Sequence, residues 1–74
     1  MATVDFETGV QVIGETAGAV WHVLSEEGPM SLAKLARSLD VPRDVTMQAV
    51  GWLAREHKIV IEDGSRGRIV SLRS

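Results

Sequence analysis

The 74-residue sequence contains no cysteine, and this absence excludes several kinds of site. Without cysteine the chain has no disulfide framework, no thiolate nucleophile and no cysteine-based zinc site. A cysteine-free chain fits a reducing compartment, so we expect the protein to be cytoplasmic. The composition, with 45% hydrophobic and 24% charged residues, is ordinary for a globular domain. At this length one small core is only marginally stabilising, which makes oligomerisation plausible.

The sequence also lacks a basic N-terminal region and a long uninterrupted apolar run. Its first residues carry acids, so we expect no secretory signal peptide. The most apolar stretch, residues 9–24, is interrupted by polar and charged residues and is not expected to span a membrane. Gly14 and Gly18 form a G-x-x-x-G pattern within it. Because Glu15 lies between them, we interpret them as small residues that let another helix or strand pack close.

Lysine and arginine are missing from the first part of the chain. Residues 1–30 contain five acids and no Lys or Arg, a net charge of −5. Residues 31–74 contain eight Lys and Arg and five acids, a net charge of +3. The total of −2 argues against strong non-specific nucleic-acid binding, but the C-terminal part is mildly positive.

Signatures of catalysis are absent as well. The two histidines are not placed beside a serine or another nucleophile in any spacing that indicates a nucleophile–base pair. There is no phosphate-binding G-x-x-x-x-G-K-[ST] motif and no dinucleotide fingerprint. We therefore expect a protein that is not an enzyme and that has no cofactor, no metal and no small-molecule ligand.

The first helix is predicted over residues 12–26. Gly28 followed by Pro29 is a firm stop, because glycine suits the position after a helix and proline cannot continue it. Trp21 is interpreted as a core residue and His22 as a surface residue. The apolar stripe at helical spacing consists of Ile13, Ala17, Val20, Trp21 and Leu24.

A second, shorter helix is predicted over residues 32–39, with Ser31 as its N-cap. The turn after it is expected to bury Val41 and to place Pro42 at or just before the start of the third helix. That helix is predicted over residues 43–57. Its inner arc comprises Val45, Thr46, Ala49, Val50 and Leu53. Trp52 lies at the border of this arc and is either a core residue, the assignment that we favour, or the anchor of an interface.

Two β-branched runs, residues 58–62 and 68–72, flank the turn-rich segment 63–67 and predict a β-hairpin. Alternation leaves Val60 and Ile69 on the outer face, which therefore needs a second cover. The core side consists of Ile59, Ile61, Val70 and Leu72.

The N-terminal segment, residues 1–9, leaves two alternatives open. Val4 and Phe6 alternate with polar residues, which is typical of a strand. The segment is therefore either a frayed terminus or an extra strand that covers a sheet edge in its own chain or in a partner. A second subunit could supply the same cover.

Helix, tight turn, helix and β-hairpin is the order of a winged helix-turn-helix, a mainly α fold with a small β-wing (α+β) built on a three-helix core. We expect residues 1–74 to form one such domain. The distinctive motifs are G-E-T-A-G-x-x-W at Gly14–Trp21, G-P-M-S at Gly28–Ser31 and G-W-L-A-R-E at Gly51–Glu56. With these motifs the chain resembles the small stand-alone winged-helix family of bacteria and archaea whose function is uncharacterised. The resemblance implies cytoplasmic residence and a homodimer.

Double-stranded DNA is the first predicted partner, bound by a regulator-like homodimer. The third helix would read the major groove, but Asp44 repels phosphate, Met47 carries no hydrogen-bond information and Gly51 has no side chain. Arginines at the wing could contact phosphate or enter the minor groove. The predicted contacts are Lys34, Arg37, Arg43, Gln48, Arg55, Arg66 and Arg68.

The alternative is a protein-interaction module that keeps the fold without binding DNA. The acidic N-terminal third and the weak reading face favour it. Its predicted partner or dimer interface comprises Val4, Phe6, Val60 and Ile69.

Overall fold

The computed structural model of the protein describes residues 6–65 and 67–73, with side chains from residue 9 onward. Within these residues three helices and a three-stranded antiparallel sheet share one apolar core, so the predicted order of helix, turn, helix and hairpin is confirmed. The elements are α1 (Phe6–Glu27), β1 (Met30–Ser31), α2 (Leu32–Ser38), α3 (Arg43–Arg55), β2 (Ile59–Gly64) and β3 (Gly67–Leu72).

Helix α1 begins earlier than the apolar stripe predicts. Phe6–Thr8 are helical, so the strand alternative is wrong for these residues, while residues 3–5 lie outside the described part of the chain. Two alternating apolar residues are a short pattern, and extending an existing helix adds one hydrogen bond for each residue fixed. The helix ends as predicted. Gly28 has a φ of +81°, and its N–H donates to the carbonyl oxygen of Leu24 at 2.9 Å.

The buried face of α1 differs from the predicted stripe at one large residue. Trp21 is 46% exposed and is not a core residue. Thr16 is buried in addition to Ala17, Val20 and Leu24. Threonine can be buried on a helix because its hydroxyl bonds the backbone, and here the Thr16 hydroxyl donates to the carbonyl oxygen of Val12 at 2.8 Å. The inward face is therefore rotated towards Thr16 and away from Trp21.

Helix α2 starts as predicted, because the Ser31 hydroxyl accepts a hydrogen bond from the Lys34 backbone N–H at 3.1 Å. It buries Leu35 completely. The prediction that Val41 is buried is wrong: this residue is 37% exposed. Leu39, which precedes the turn, packs against the core in its place. Pro42 is the N-cap residue of α3, as its position in the sequence indicates.

Helix α3 buries four of the five predicted inner residues, and the fifth, Val45, is half-buried. Trp52 is 39% exposed, so its assignment to the core is wrong. The helix ends at Arg55, two residues before the predicted end. The following N–H groups, of His57 and Lys58, donate back to the carbonyl oxygens of Ala54 and Leu53 at 3.1 and 3.0 Å. This pair of bonds is a Schellman cap.

The sheet has the order β1–β3–β2, with all neighbours antiparallel. The third strand is β1, a two-residue strand that the sequence analysis does not predict, and it places Met30 opposite Val70. Val70 is fully buried because it lies between Met30 on one side and Ile61 on the other. Ile61 itself, predicted on the core side, is 39% exposed, whereas Ile59 on the same strand is 5% exposed, because β2 leaves the core as it runs towards the hairpin loop.

None of the helices that the structure describes is long and apolar enough to cross a membrane, including the 22-residue α1.

Candidate nucleic-acid interface

Helices α2 and α3 form the helix-turn-helix, and the outward line of α3 is the surface expected to enter a groove. Residues 44, 48, 51 and 55 are all exposed and recur at intervals of three or four, so they share one side of the helix. This line brings the predicted contacts Gln48 and Arg55 together. It also contains Asp44, whose side-chain oxygen accepts a bond from the Val45 N–H at 3.0 Å, and the bare backbone of Gly51.

Arg43, the third predicted contact on α3, is exposed but lies off this line. It is the first helical residue, five positions before Gln48, and about 100° per residue turns it well away from the outward side. Its place at the helix start still leaves it next to the turn after α2. Arg43 is therefore suited to a phosphate at the edge of a groove more than to a base edge within it.

The two predicted contacts on α2 lie together. Lys34 and Arg37 are exposed and three residues apart, so they project from one side of this short helix. Lys34 is in the first turn of α2, which contains no acid, although the partial positive charge at a helix start disfavours a cation. A lysine placed there is not explained by the stability of the helix.

The wing consists of β2, β3 and the loop between them. Arg68 is exposed and lies opposite Asp63 in the strand ladder, with its Nε 3.4 Å from an Asp63 carboxylate oxygen. This ion pair offsets part of the positive charge that Arg68 would present to a phosphate. Arg66, the other predicted wing contact, lies outside the described residues.

The hairpin is tightly closed at the start of its loop. Gly64 pairs with Gly67 across the ladder. A Cβ on Gly64 would lie 3.0 Å from the Gly67 carbonyl oxygen and 3.2 Å from Ile69 Cγ1, so a side chain there would need its neighbours to move. Gly67 has a φ of +121°, a conformation that other residues rarely adopt. Glycines at 64 and 67 thus fix where the loop begins and ends.

The predicted partner interface is only partly visible. Val60 is half-buried and Ile69 is 36% exposed, and both lie on the outer face of the sheet, as alternation predicts. Val4 lies outside the described residues, and only the backbone of Phe6 is described. The structure therefore brings two of these four residues onto one surface and does not test the other two.

Sequence reasoning missed a second surface, which we call the tryptophan groove. It is an open groove of about 280 Å³ between α1 and the end of α3. Two partly exposed tryptophans flank it, and small residues of α1 form its floor. The lining residues are Gly14, Ala17, Gly18, Trp21, Trp52, Leu53 and Lys58. The sequence signal at this surface is the G-x-x-x-G pattern of Gly14 and Gly18, whereas the exposure of Trp21 follows from the rotation of the α1 core face towards Thr16.

Among residues 6–65 and 67–73, no group of three or more His, Cys, Asp or Glu side chains is arranged to hold a metal ion. His22 and Glu26 pair on the surface of α1, with Nε2 2.8 Å from the carboxylate oxygen. Both side chains are about two-thirds exposed, so the pair sits on an open helix face and not in a pocket.

Comparison with known proteins places the chain in a family. The family model described as "Winged helix-turn-helix domain (DUF2582)" matches residues 7–72. The uncharacterised protein MJ1608 of Methanocaldococcus jannaschii is 38% identical in a 64-residue alignment, and the alignment covers 82% of this chain and 90% of that relative. The solution NMR structure of protein BT2368 from Bacteroides thetaiotaomicron is similar, with a TM-score of 0.75 and 40% identity over 84% of this chain and 76% of that one. The resemblance given by the sequence motifs is thus confirmed, and the chain belongs to this family of winged helix-turn-helix domains.

Proposed function

We propose that the protein is a DNA-binding, regulator-like module that acts as a homodimer. The observation that supports this function is the separation of charge. The described charged side chains of α1 are acids, apart from the histidine paired with Glu26. All described Lys and Arg side chains lie on α2 or α3, on the wing, or at the two ends of the wing strands.

In this proposal the molecule approaches DNA with its α2–α3–wing side. Gln48 and Arg55 enter the major groove, and Gln48 can bond the edge of an adenine. Lys34, Arg37 and Arg43 contact the phosphate backbone, and Arg66 and Arg68 on the wing contact phosphate or the minor groove. Because α1 repels phosphate, only one orientation of the domain is attractive.

A single copy is expected to bind weakly, since Asp44 repels phosphate and Gly51 offers no side chain. Linking two weak sites raises the overall affinity without any new contact, because the second site binds within the same complex. A homodimer can therefore reach an affinity for DNA that a single α3 surface does not provide. The same logic explains how a chain with a net charge of −2 can still select DNA.

The direct test is titration of the purified protein into a labelled random-sequence duplex, followed by fluorescence anisotropy at about 20 mM and about 200 mM salt. We expect binding at low salt that weakens steeply at high salt, because phosphate contacts release counterions. Absence of binding at low salt would contradict the DNA proposal and leave the helix-turn-helix as a scaffold.

The wing provides the sharper variant. Replacement of both Arg66 and Arg68 by alanine should weaken binding about tenfold or more on all sequences and reduce the salt dependence, because phosphate contacts carry no sequence information. Arg73→Ala is the matched control, since it removes an exposed positive charge just after β3, at the end of the hairpin away from the loop. Equal affinity of the wing variant and the wild type would remove the wing from the interface.

The alternative is a protein-interaction module, and the two exposed tryptophans favour it, because aromatic residues are enriched at protein interfaces. In this case the duplex titration fails, whereas a stable complex forms through apolar residues. If that complex uses the outer sheet face, the variant with Phe6→Asp and Ile69→Asp sediments at a lower mass than the wild type. An unchanged mass would exclude these residues from the interface.

A further inference from the structure

Two glycines inside α1 have no explanation within the chain itself. Glycine in a helix interior destabilises by about 1 kcal/mol relative to alanine. Such a residue is usually justified by a neighbour that a Cβ would touch. Among the described residues, a Cβ built at Gly14 or Gly18 has no heavy atom within 4 Å outside the helix's own backbone. Both glycines lie one turn apart and face open space in the part of the chain that the structure describes, so close packing by another chain would account for them.

Two tryptophans flank this glycine floor. Trp21 is 46% exposed and follows Gly18 on α1, and Trp52 is 39% exposed and belongs to α3. Exposing a large aromatic side chain to water is unfavourable, and its burial at an interface is stabilising. Such side chains are therefore frequent anchors of interfaces. The groove between the two exposed indoles, with glycine backbone as its floor, has room for a helix to pack closely.

Charge indicates which helix fits. The bank of the groove that follows the end of α3 carries Lys58. Beside Trp52, outside the groove, Arg55 is accompanied by Glu56, so these two charges cancel and Lys58 gives the bank its positive charge. The described exposed acids of α1 are Glu15, Glu26 and Glu27, and α1 contains no Lys or Arg. A helix of the composition of α1 is thus complementary to the basic bank of the groove. Every second copy of the chain brings such a helix together with its own groove, as a twofold interface requires.

We infer that the tryptophan groove is the dimer surface, in which α1 of each copy packs between Trp21 and Trp52 of the other. This inference rests on the homodimer of the proposed function and assigns it to a surface other than the outer sheet face. The packing places Glu15 of one copy near Lys58 of the other. It leaves the outward line of α3 and the wing free for DNA.

The test is sedimentation equilibrium of the full chain and of variants over about 1 μM to 1 mM. Gly18→Leu places its side chain in the open groove, where the added Cβ touches no described atom, and it raises helix propensity, so we expect the variant to fold. We expect a dimeric wild type and self-association at least about tenfold weaker for Gly18→Leu, because overpacking a close contact is unfavourable. The matched control is Ala19→Leu, which adds similar bulk one residue later, outside the groove, and should change the affinity less than about twofold.

Charge reversal gives an independent readout. Lys58→Glu should weaken self-association about threefold, and Glu15→Lys in the same chain should restore it, since exposed ion pairs contribute a fraction of a kcal/mol. A merely structural effect of Lys58→Glu would not be rescued by a second substitution on another helix.

The outcomes separate this inference from the proposed function. A dimer that survives Gly18→Leu overturns the groove as its surface and leaves the proposed homodimer intact, and Ile69→Asp then tests the outer sheet face. A wild type that stays monomeric up to about 1 mM overturns both the groove as a dimer surface and the homodimer itself. This conclusion holds even if another protein binds in the groove. Salt-dependent duplex binding is measured separately and decides the DNA proposal alone.

Discussion

Residues 28–31 join the end of α1 to the start of α2. At both of these helix ends the charged side chains interact unfavourably with the dipole of their own helix. Helix α1 has two glutamates and no base in its last turn, where cations are stabilising. Helix α2 has Lys34 and no acid in its first turn, where anions are stabilising. Each placement is unfavourable for its own helix, but each agrees with the charge of the face on which it lies.

Helix α3 behaves differently. Asp44 lies in its first turn and Arg55 in its last turn, so both charges are favourable for the helix dipole. The acid at its start is the group that weakens the outward line as a reader of DNA. The contrast is between termini: the charges at the end of α1 and at the start of α2 follow only the side of the molecule, whereas Asp44 and Arg55 also agree with the dipole of α3.

The largest expected effect tests whether the acidic and basic sides belong to one folding unit. Leu24 of α1 is 2% exposed in the core that α3, α2 and the sheet share. Leu24→Ala should lower the free energy of unfolding by about 2–5 kcal/mol, because it leaves a cavity. Urea unfolding followed by tryptophan fluorescence and by far-UV circular dichroism measures this.

Both probes should report one coincident transition, since all elements contact the same core. Val12→Ala is the control, because Val12 lies on α1 but is 41% exposed, and its loss should change stability by less than about 0.5 kcal/mol. Two separate transitions in the Leu24 variant would show that the acidic and basic sides of the molecule unfold independently. The two sides could then not be compared as parts of one folding unit.

The second prediction exchanges the charges at the two helix ends. Lys34→Glu completes an S-x-x-E capping box with Ser31, whose hydroxyl already accepts the Lys34 N–H, so this variant should be slightly more stable than the wild type. Its affinity for the random duplex should nevertheless fall about tenfold, because one phosphate contact is replaced by a repulsion. Anisotropy at fixed salt measures the change.

Glu26→Lys is the opposite exchange on α1. It places a cation in the last turn, where the dipole favours it, at the loss of the exposed pair with His22. DNA affinity should change less than about twofold, because this residue faces away from the proposed interface. If the two variants shifted the affinity equally and in opposite directions, net charge alone would govern binding and the separation of charge by side would have no role.

The sequence was a good guide where a pattern was long or a residue type was restrictive. The Gly28–Pro29 stop, the Ser31 cap and Pro42 before α3 were predicted because each residue acts through its own backbone geometry or hydroxyl. The hairpin was predicted from two β-branched runs around a glycine-rich turn. These elements depend on local chemistry, which a single sequence contains.

The rotation of each helix about its own axis relative to the core was not predictable in the same way. Trp21 and Trp52 are both apolar residues at the edge of a helical stripe, and hydrophobicity alone assigned them to the core. Thr16 is absent from the predicted stripe because its hydroxyl is polar, and this hydroxyl gains its hydrogen bond to the Val12 carbonyl oxygen only once the helix has formed. The strand β1 depends on pairing with β3 forty residues later, and two residues carry no periodicity that could reveal it.

The smallest predicted effect concerns the residue after α3. His57 has a φ of +59°, a left-handed conformation that is unfavourable for a residue with a Cβ, and it lies within the Schellman cap. Its side chain is exposed, so glycine would lose no buried packing. His57→Gly should raise the free energy of unfolding by about 0.5–1 kcal/mol, because the relief of strain exceeds the extra freedom of glycine in the unfolded chain. Urea unfolding measures the gain, and His57→Ala, which keeps the strain, should show none. A variant that gains stability but binds the duplex more weakly would place His57 in the DNA interface and extend the basic side to the end of α3, whereas an absence of any gain would show that the imidazole makes a contact that offsets the strain.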